Sequence, residues 1–496
     1  MRSSKKQNSD VQHSLRPQLQ WLFVAVLVMM VAFIYRNAFS IPFHFVEVDG
    51  IQNNIVVKSP SMFIEKMLTL KGLAQRPLSV LSYTLNYAVG GEDVFGYHLV
   101  NWLIHVLNIL LVFVIARRWV RLPMLATAIF ALHPLASACA SQLFGRPYSL
   151  AAFFMLIALE RLSRPRAPNQ NFFTVKEIAI QSALFVLMLL SKQSFVFFPV
   201  LVAWHEWKLR HFKLASMLTR NTWKAWALAA CTLALIAAFC LSYASSLKEP
   251  AHIGPLDWAL SQLGNAVWLP AFYILPFQLS FLHYLPYYDS MAHPDVLIGI
   301  ALVGFAAWVT WRYRTSHGWL LGAMLITLLP TNSFFPKNEV IREWRLYPSL
   351  AFFALWAAEL SAPIFVVKTR RYLAYTATAA SAIYLLSFAV TIERQNEHYQ
   401  TPVGLWLSVL NSYPNFADAA NNAGHFLLLA DHNPKEALKY FLIAQRIDPT
   451  IAIYAENTGR AYAALNEFEK AEAERKKAKA IFERYGVHTF ASGPDK

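Results

Sequence analysis

The chain has 496 residues, of which 56% are hydrophobic, 15% aromatic and only 15% charged, with a mean hydropathy of +0.36. A soluble chain of this length carries roughly 25% charged residues, so a string of soluble domains is excluded. Long uncharged apolar runs exclude disorder, collagen and coiled coil as well. The net charge of +15 does not point to nucleic acid, because from Ile392 onward twelve Lys/Arg stand against thirteen Asp/Glu. The surplus lies in the apolar part, where short basic loops orient a membrane protein. Cys139, Cys231 and Cys240 sit in or beside apolar runs, with neither zinc spacing nor a disulfide framework.

A span needs about 20 mostly apolar residues, sometimes as few as 17. That length criterion predicts spans near 19–36, 97–116, 122–139, 148–163, 177–191, 194–207, 225–245, 295–311, 318–335, 348–366 and 372–391. The expected fold is therefore all-α, a polytopic transmembrane bundle of about eleven spans over 19–391. Residues 1–18 form a short tail bearing Arg2, Lys5, Lys6 and Arg16, and the first span is a retained anchor, since no small-residue cleavage pattern precedes Arg36. With the N-terminus cytoplasmic, the internal loops and tail carry twenty-one Lys/Arg and the external ones before the C-terminal tail eleven, as the positive-inside rule requires. The stretch 254–290 is apolar and aromatic but broken by prolines, and both of its ends fall outside. It lies on the surface or re-enters against a lipid-facing cavity; two misread spans are the alternative.

The C-terminal region is a different kind of sequence. Ala437 and Ala471 are 34 residues apart, as are Ala444 and Ala478, with Pro449, Gly459 and Tyr462 around them. A 34-residue period predicts helix–turn–helix units of the tetratricopeptide type. Repeats are expected near 416–449 and 450–483 within a solenoid spanning 416–486. A linker and half-repeat precede it over 392–415, and a short tail follows over 487–496. An odd number of spans leaves this solenoid outside.

The first external loop, 37–96, holds Glu47-Val48-Asp49, Lys71 and Arg76-Pro77. In an extended chain the i and i+2 carboxylates point to one side. They could then serve as a general base or hold a divalent metal with a phosphate, against the plain alternative of solvated loop charges. His133, Arg146, Lys192, Lys337, Arg342, Glu343 and Arg345 gather on the same external side. Arginines there suit bidentate clamping of a phosphate, and the alternative for each alone is a snorkelling surface residue.

The stretches FVEVDGIQNN, RPLSVLSYTLNYAVGG and GYHLVNWLIHVLN, followed by ALHP, FGRPYSLAAFF, LLSKQ, EWRLYPSLAFF and LWLSVLNSYPN, resemble GT-C glycosyltransferases. Within that group the order of motifs and the repeat tail resemble the transmembrane-and-tetratricopeptide O-mannosyltransferases and their bacterial relatives. The resemblance implies a polyprenyl-phosphate sugar donor, an external active site and a hydroxyl acceptor, often on protein and held by the repeats. It implies Asp49 as general base with Glu47 beside it. It also implies Arg76, Arg146, Lys192 and Arg345 on the donor phosphate, and His133, Glu343 and Tyr347 in support. No cofactor is fixed by the residues, and a divalent metal at Glu47/Asp49 is an option. HPLASACA lacks the His and Glu that relatives carry after His-Pro, and Lys192-Gln193 stands where Lys-Glu is common. The expected setting is a bacterial inner membrane with a periplasmic tail. The rival functions are a non-catalytic scaffold for envelope assembly and a glycan ligase or polymerase using a lipid-linked oligosaccharide.

Overall fold

The computed structural model describes residues 16–73, 75–165, 174–210, 253–313, 316–332, 336, 339–366 and 371–485, and among these there are helices and no strand. The expected span at 225–245 and the side chains of Lys71 and Lys337 lie outside the described set.

Among the described residues the long apolar runs form helices. Helix α1 (Pro17–Ile34) buries Val24, Leu27, Val31 and Ile34 along one stripe and leaves Leu22, Met29 and Phe33 facing outward. Five short helical elements follow before α2 (Pro77–Gly90): Arg36–Ser40, Val48–Gln52, Ile55–Lys58, Pro60–Met67 and Leu70–Leu73. Helix α3 (Val94–Trp119) starts where the Asp93 carboxylate accepts from the Phe95 amide at 3.1 Å, and ends with Arg117 and Arg118 against the negative end of its dipole. Helix α4 (Pro123–Leu132) is bent by 54° against Pro134–Ala140, at the His133–Pro134 step where the ring prevents continuation. Helices α5 (Arg146–Ser163), α6 (Val175–Ser191) and α7 (Phe198–Arg210) complete the first half.

In the second half, α8 (Pro255–Asn265) leads into a short helix, Leu269–Ile274, and 276–290 contains no helix. Then come α9 (Pro294–Arg312), α10 (Ser316–Leu328), α11 (Tyr347–Val366) and α12 (Arg371–His398). Among the described residues six helices are long and apolar enough to cross a membrane, or seven if the bent α4 pair counts as one span. Of the other four expected spans, three correspond to α6, α7 and α10, which show 17, 13 and 13 residues among those described, and the fourth, 225–245, lies outside the described set. The bundle core is rich in small residues: Ala126, Ala131, Ala151, Ala158, Ala354 and Ala358 are all buried, which lets helices approach closely without a hydrophobic drive. By contrast, only 17% of the apolar window in α9 and 6% of that in α12 is buried, leaving two apolar surfaces for lipid.

Five helices close the chain: α13 (Pro402–Ser412), α14 (Ala417–Leu429), α15 (Pro434–Ile447), α16 (Ala452–Ala464) and α17 (Phe468–Tyr485), each packed on the next. Ala437 and Ala444 of α15 and Ala471 and Ala478 of α17 are buried at corresponding positions. Gly424 is required for the α14–α15 approach, since a Cβ there would stand 2.8 Å from the Phe441 ring. Trp406 of α13 joins this tail to the membrane part, packing at 5.4 Å from Phe45 and 6.1 Å from Phe281 between ring centroids.

Candidate active site

A cavity of about 720 Å³ opens between the first-loop helices and the beginning of α5. Gly50, Glu65, Lys66, Arg76, Tyr83 and Phe144 are among the residues that line it, as are Pro147 and Gln193. Gly50 leaves room for Phe144, because a Cβ there would sit 2.8 Å from the ring edge.

The loop that carries this wall is helical, not extended. Phe45 adopts φ +46°, a strained value for an aromatic residue, and the chain then turns into the π-helical Val48–Gln52. In a helix, residues i and i+2 point about half a turn apart, so Glu47 and Asp49 do not form one acidic face. Glu47 is 5% exposed; its Oε2 accepts the His44 amide and its Oε1 the Phe144 amide, both at 3.1 Å. Burial pushes its carboxyl up to about 7 from the ordinary 4.5, opposed by these amides and by the Arg146 charge. Asp49 is exposed on the turn whose next residue, Gly50, lines the cavity. A metal held jointly by these two carboxylates does not fit, since Glu47 is committed to backbone amides and Asp49 faces away from it.

Three of the four predicted basic residues converge. Arg76 sits at the N-cap of α2 with φ 61° and ψ 53°, lines the cavity, and lies with its guanidinium 5.7 Å from the Phe144 centroid. Lys192 places its ammonium 4.5 Å from the centroid of Tyr148, and the Arg345 and Arg76 charges both act on that same phenol. Arg345, 7% exposed, is held by the Glu339 carbonyl at 2.8 Å and its carboxylate at 3.3 Å.

Arg146 is placed differently from expectation. It is fully buried, donating to Asn101 Oδ1 at 2.5 Å, Asn86 Oδ1 at 2.7 Å, the Tyr97 carbonyl at 2.7 Å and Ser82 Oγ at 3.2 Å, over the Tyr83 ring. It joins α2 and α3 to α5 and is withdrawn from the phosphate set. His133 is likewise a core residue: its Nδ1 accepts from the Leu135 amide and its Nε2 meets the Tyr273 carbonyl at 2.9 Å. The Tyr347 hydroxyl is buried against His105 Nδ1 and Asn108. Glu343 is buried against the Ser280 amide and His283, not at the cavity.

Sequence reasoning missed Tyr148, Glu339 and His283. Tyr148 follows Arg146-Pro147 in a quoted motif, so its position was visible. Its role depends on Lys192 and Arg345, which only the fold brings near. His283 lay unmarked inside the proline-broken stretch.

No family model matches the chain. It is similar to protein O-mannosyl-transferase TMTC3 of Mus musculus, 24% identical over 444 residues covering 82% of this chain and 48% of that protein. The Drosophila melanogaster Tmtc3 is 24% identical over 82% of this chain and 52% of its own length. The chain thus spans about half the length of the curated relatives it matches. A stretch of 74 residues, 14% of the chain, is 46% identical to Drosophila Tmtc1. Among solved structures, ArnT from Cupriavidus metallidurans bound to undecaprenyl phosphate aligns with a TM-score of 0.39 at 13% identity, covering 95% of this chain and 79% of that one. The resemblance carried by the order of motifs is met by these sequence relatives: the chain is similar to protein O-mannosyl-transferases over four fifths of its length.

Proposed function

We propose that this protein is a membrane glycosyltransferase that moves a sugar from a polyprenyl-phosphate donor to a hydroxyl on an extracytoplasmic protein. The observation that carries the reading is the convergence of Arg76, Lys192 and Arg345 around Tyr148, beside a cavity that Gly50, the residue after Asp49, also lines. In this reading the acceptor hydroxyl attacks the anomeric carbon while Asp49 takes its proton. The bond from that carbon to the phosphate oxygen breaks, and polyprenyl phosphate leaves with the electron pair. The basic cluster offsets the charge that develops on the leaving oxygen. A phosphate leaves without protonation, so no general acid is needed where the second- and third-loop acids are missing.

The alanine-paired helices α14 to α17 act as tetratricopeptide repeats that hold the acceptor, on the external, in bacteria periplasmic, face of the inner membrane. The names of the relatives make mannose the first sugar to test. The experiment is transfer from labelled polyprenyl-phosphate mannose to periplasmic protein by wild type and Asp49→Asn. Transfer is expected to fall about 10²-fold or more, with donor binding retained. Unchanged transfer removes Asp49 as base, and absence of donor binding in wild type favours the scaffold.

A further inference from the structure

Residues 280–284, in the helix-free part of the proline-broken stretch, lie between the turn that carries Arg345 and the start of the C-terminal helices. On one side, Glu343 Oε1 accepts the Ser280 amide at 2.6 Å and His283 Nε2 at 2.9 Å. Glu343 is 3% exposed and among the described residues its Oε2 has no hydrogen-bond partner, so these two donors hold the buried carboxylate. Arg342 adds a second tie, donating to the Phe281 carbonyl at 2.8 Å. On the other side, His283 Nδ1 meets the Tyr413 hydroxyl at 2.7 Å, and Tyr284 stacks on Phe416 at 4.6 Å. Tyr413 and Phe416 form the link between α13 and α14. The assignment that satisfies every group places a proton on Nε2 and lets the tyrosine donate to Nδ1.

Glu343 and Arg345 share one 3-10 turn, Glu343–Leu346. A shift of the α13–α14 link therefore pulls on His283, then on Glu343, then on the residue two positions along that reaches Tyr148. We propose that Tyr413, His283 and Glu343 are positioning residues through which the seating of the C-terminal helices sets Arg345 and so the affinity for a lipid phosphate. The proposal rests on the reading of Arg345 as a phosphate ligand. It gives the tail a second role: a partner bound there acts on the donor side without touching it.

The test uses the full-length protein as wild type, Tyr413→Phe and His283→Gln. Hydrogen exchange in 343–346 and binding of polyprenyl phosphate are measured alongside the melting temperature. Loss of one neutral hydrogen bond is expected to speed exchange in 343–346 and weaken phosphate binding about five-fold in Tyr413→Phe. His283→Gln should weaken binding further, with melting close to wild type in both. Wild-type exchange in 343–346 in both variants overturns the linkage. A general rise in exchange across α11 with a matching drop in melting overturns it too, since that is simple destabilisation. If wild type binds no polyprenyl phosphate, the phosphate reading falls, and the exchange result still decides the linkage.

Discussion

Glu47 titrates in a range where its effect on stability can be isolated. Its carboxyl is raised from 4.5 to about 7, foremost by burial, while the amides of His44, Phe144 and Leu143 and the Arg146 charge pull the other way. Each tenfold change in proton affinity is worth about 1.4 kcal/mol, so the rise corresponds to about 3 kcal/mol of linkage. Below pH 4.5 both folded and unfolded chains hold the proton, and Glu47 adds no pH dependence. Between pH 4.5 and about 7 the unfolded chain releases it while the folded chain keeps it, so stability falls as pH rises. Above about 7 both are ionised and the loss levels off. Glu47→Gln keeps the size and an acceptor oxygen but cannot titrate. Thermal unfolding of both proteins in detergent, from pH 4 to 8, should show wild type losing about 3 kcal/mol relative to the glutamine variant across that window. A wild-type-minus-variant difference that stays constant with pH refutes the raised carboxyl. A difference that grows in favour of wild type as pH rises means the charged form is the one the fold prefers.

Arg146→Lys should lower the melting temperature strongly, because one ammonium cannot serve Asn101, Asn86, Ser82 and the Tyr97 carbonyl together. Each buried acceptor left unpaired costs about 1–3 kcal/mol, and melting within a degree or two of wild type would refute the structural role. Arg76→Gly should do the reverse. Glycine takes the left-handed backbone at that position more cheaply, by about 1 kcal/mol, while losing the cavity's arginine. Melting should rise slightly as lipid-phosphate binding falls at least about ten-fold; a fall in both would make Arg76 a structural residue.

The long spans were legible because length alone identifies them: the Val94–Trp119 run leaves no choice but a membrane helix or a buried one. The shorter apolar runs were less so: α6, α7 and α10 show 17, 13 and 13 residues among those described, short of the length that identifies a span by itself. The same limit applied to the arginines. Arg76, Arg146 and Arg345 look alike in sequence as basic residues beside apolar runs. What sets Arg146 apart is the origin of its acceptors, 45 to 64 residues away in the chain, whereas Arg345 is held by Glu339 six residues before it. His283 and Tyr413 meet across 130 residues, beyond any local pattern.

The acidic pair shows most directly how local conformation decides function. Glu47-Val48-Asp49 was visible as a motif, and in a strand its two carboxylates would make one site. The left-handed Phe45 and the π turn after it convert the same three residues into opposite faces of a helix. One carboxylate then turns inward and ties the loop to the Phe144 amide at the head of α5, which fixes the cavity wall. The other stays exposed, on the turn whose next residue lines the cavity. Glu47 is buried with a backbone amide on each carboxylate oxygen, and Asp49 is exposed, so the two are placed for different jobs. Of two acids two positions apart, one therefore holds the loop, and in the proposed reading the other serves transfer. Glu47→Gln and Asp49→Asn separate the two, the first moving the pH dependence of melting and the second moving turnover.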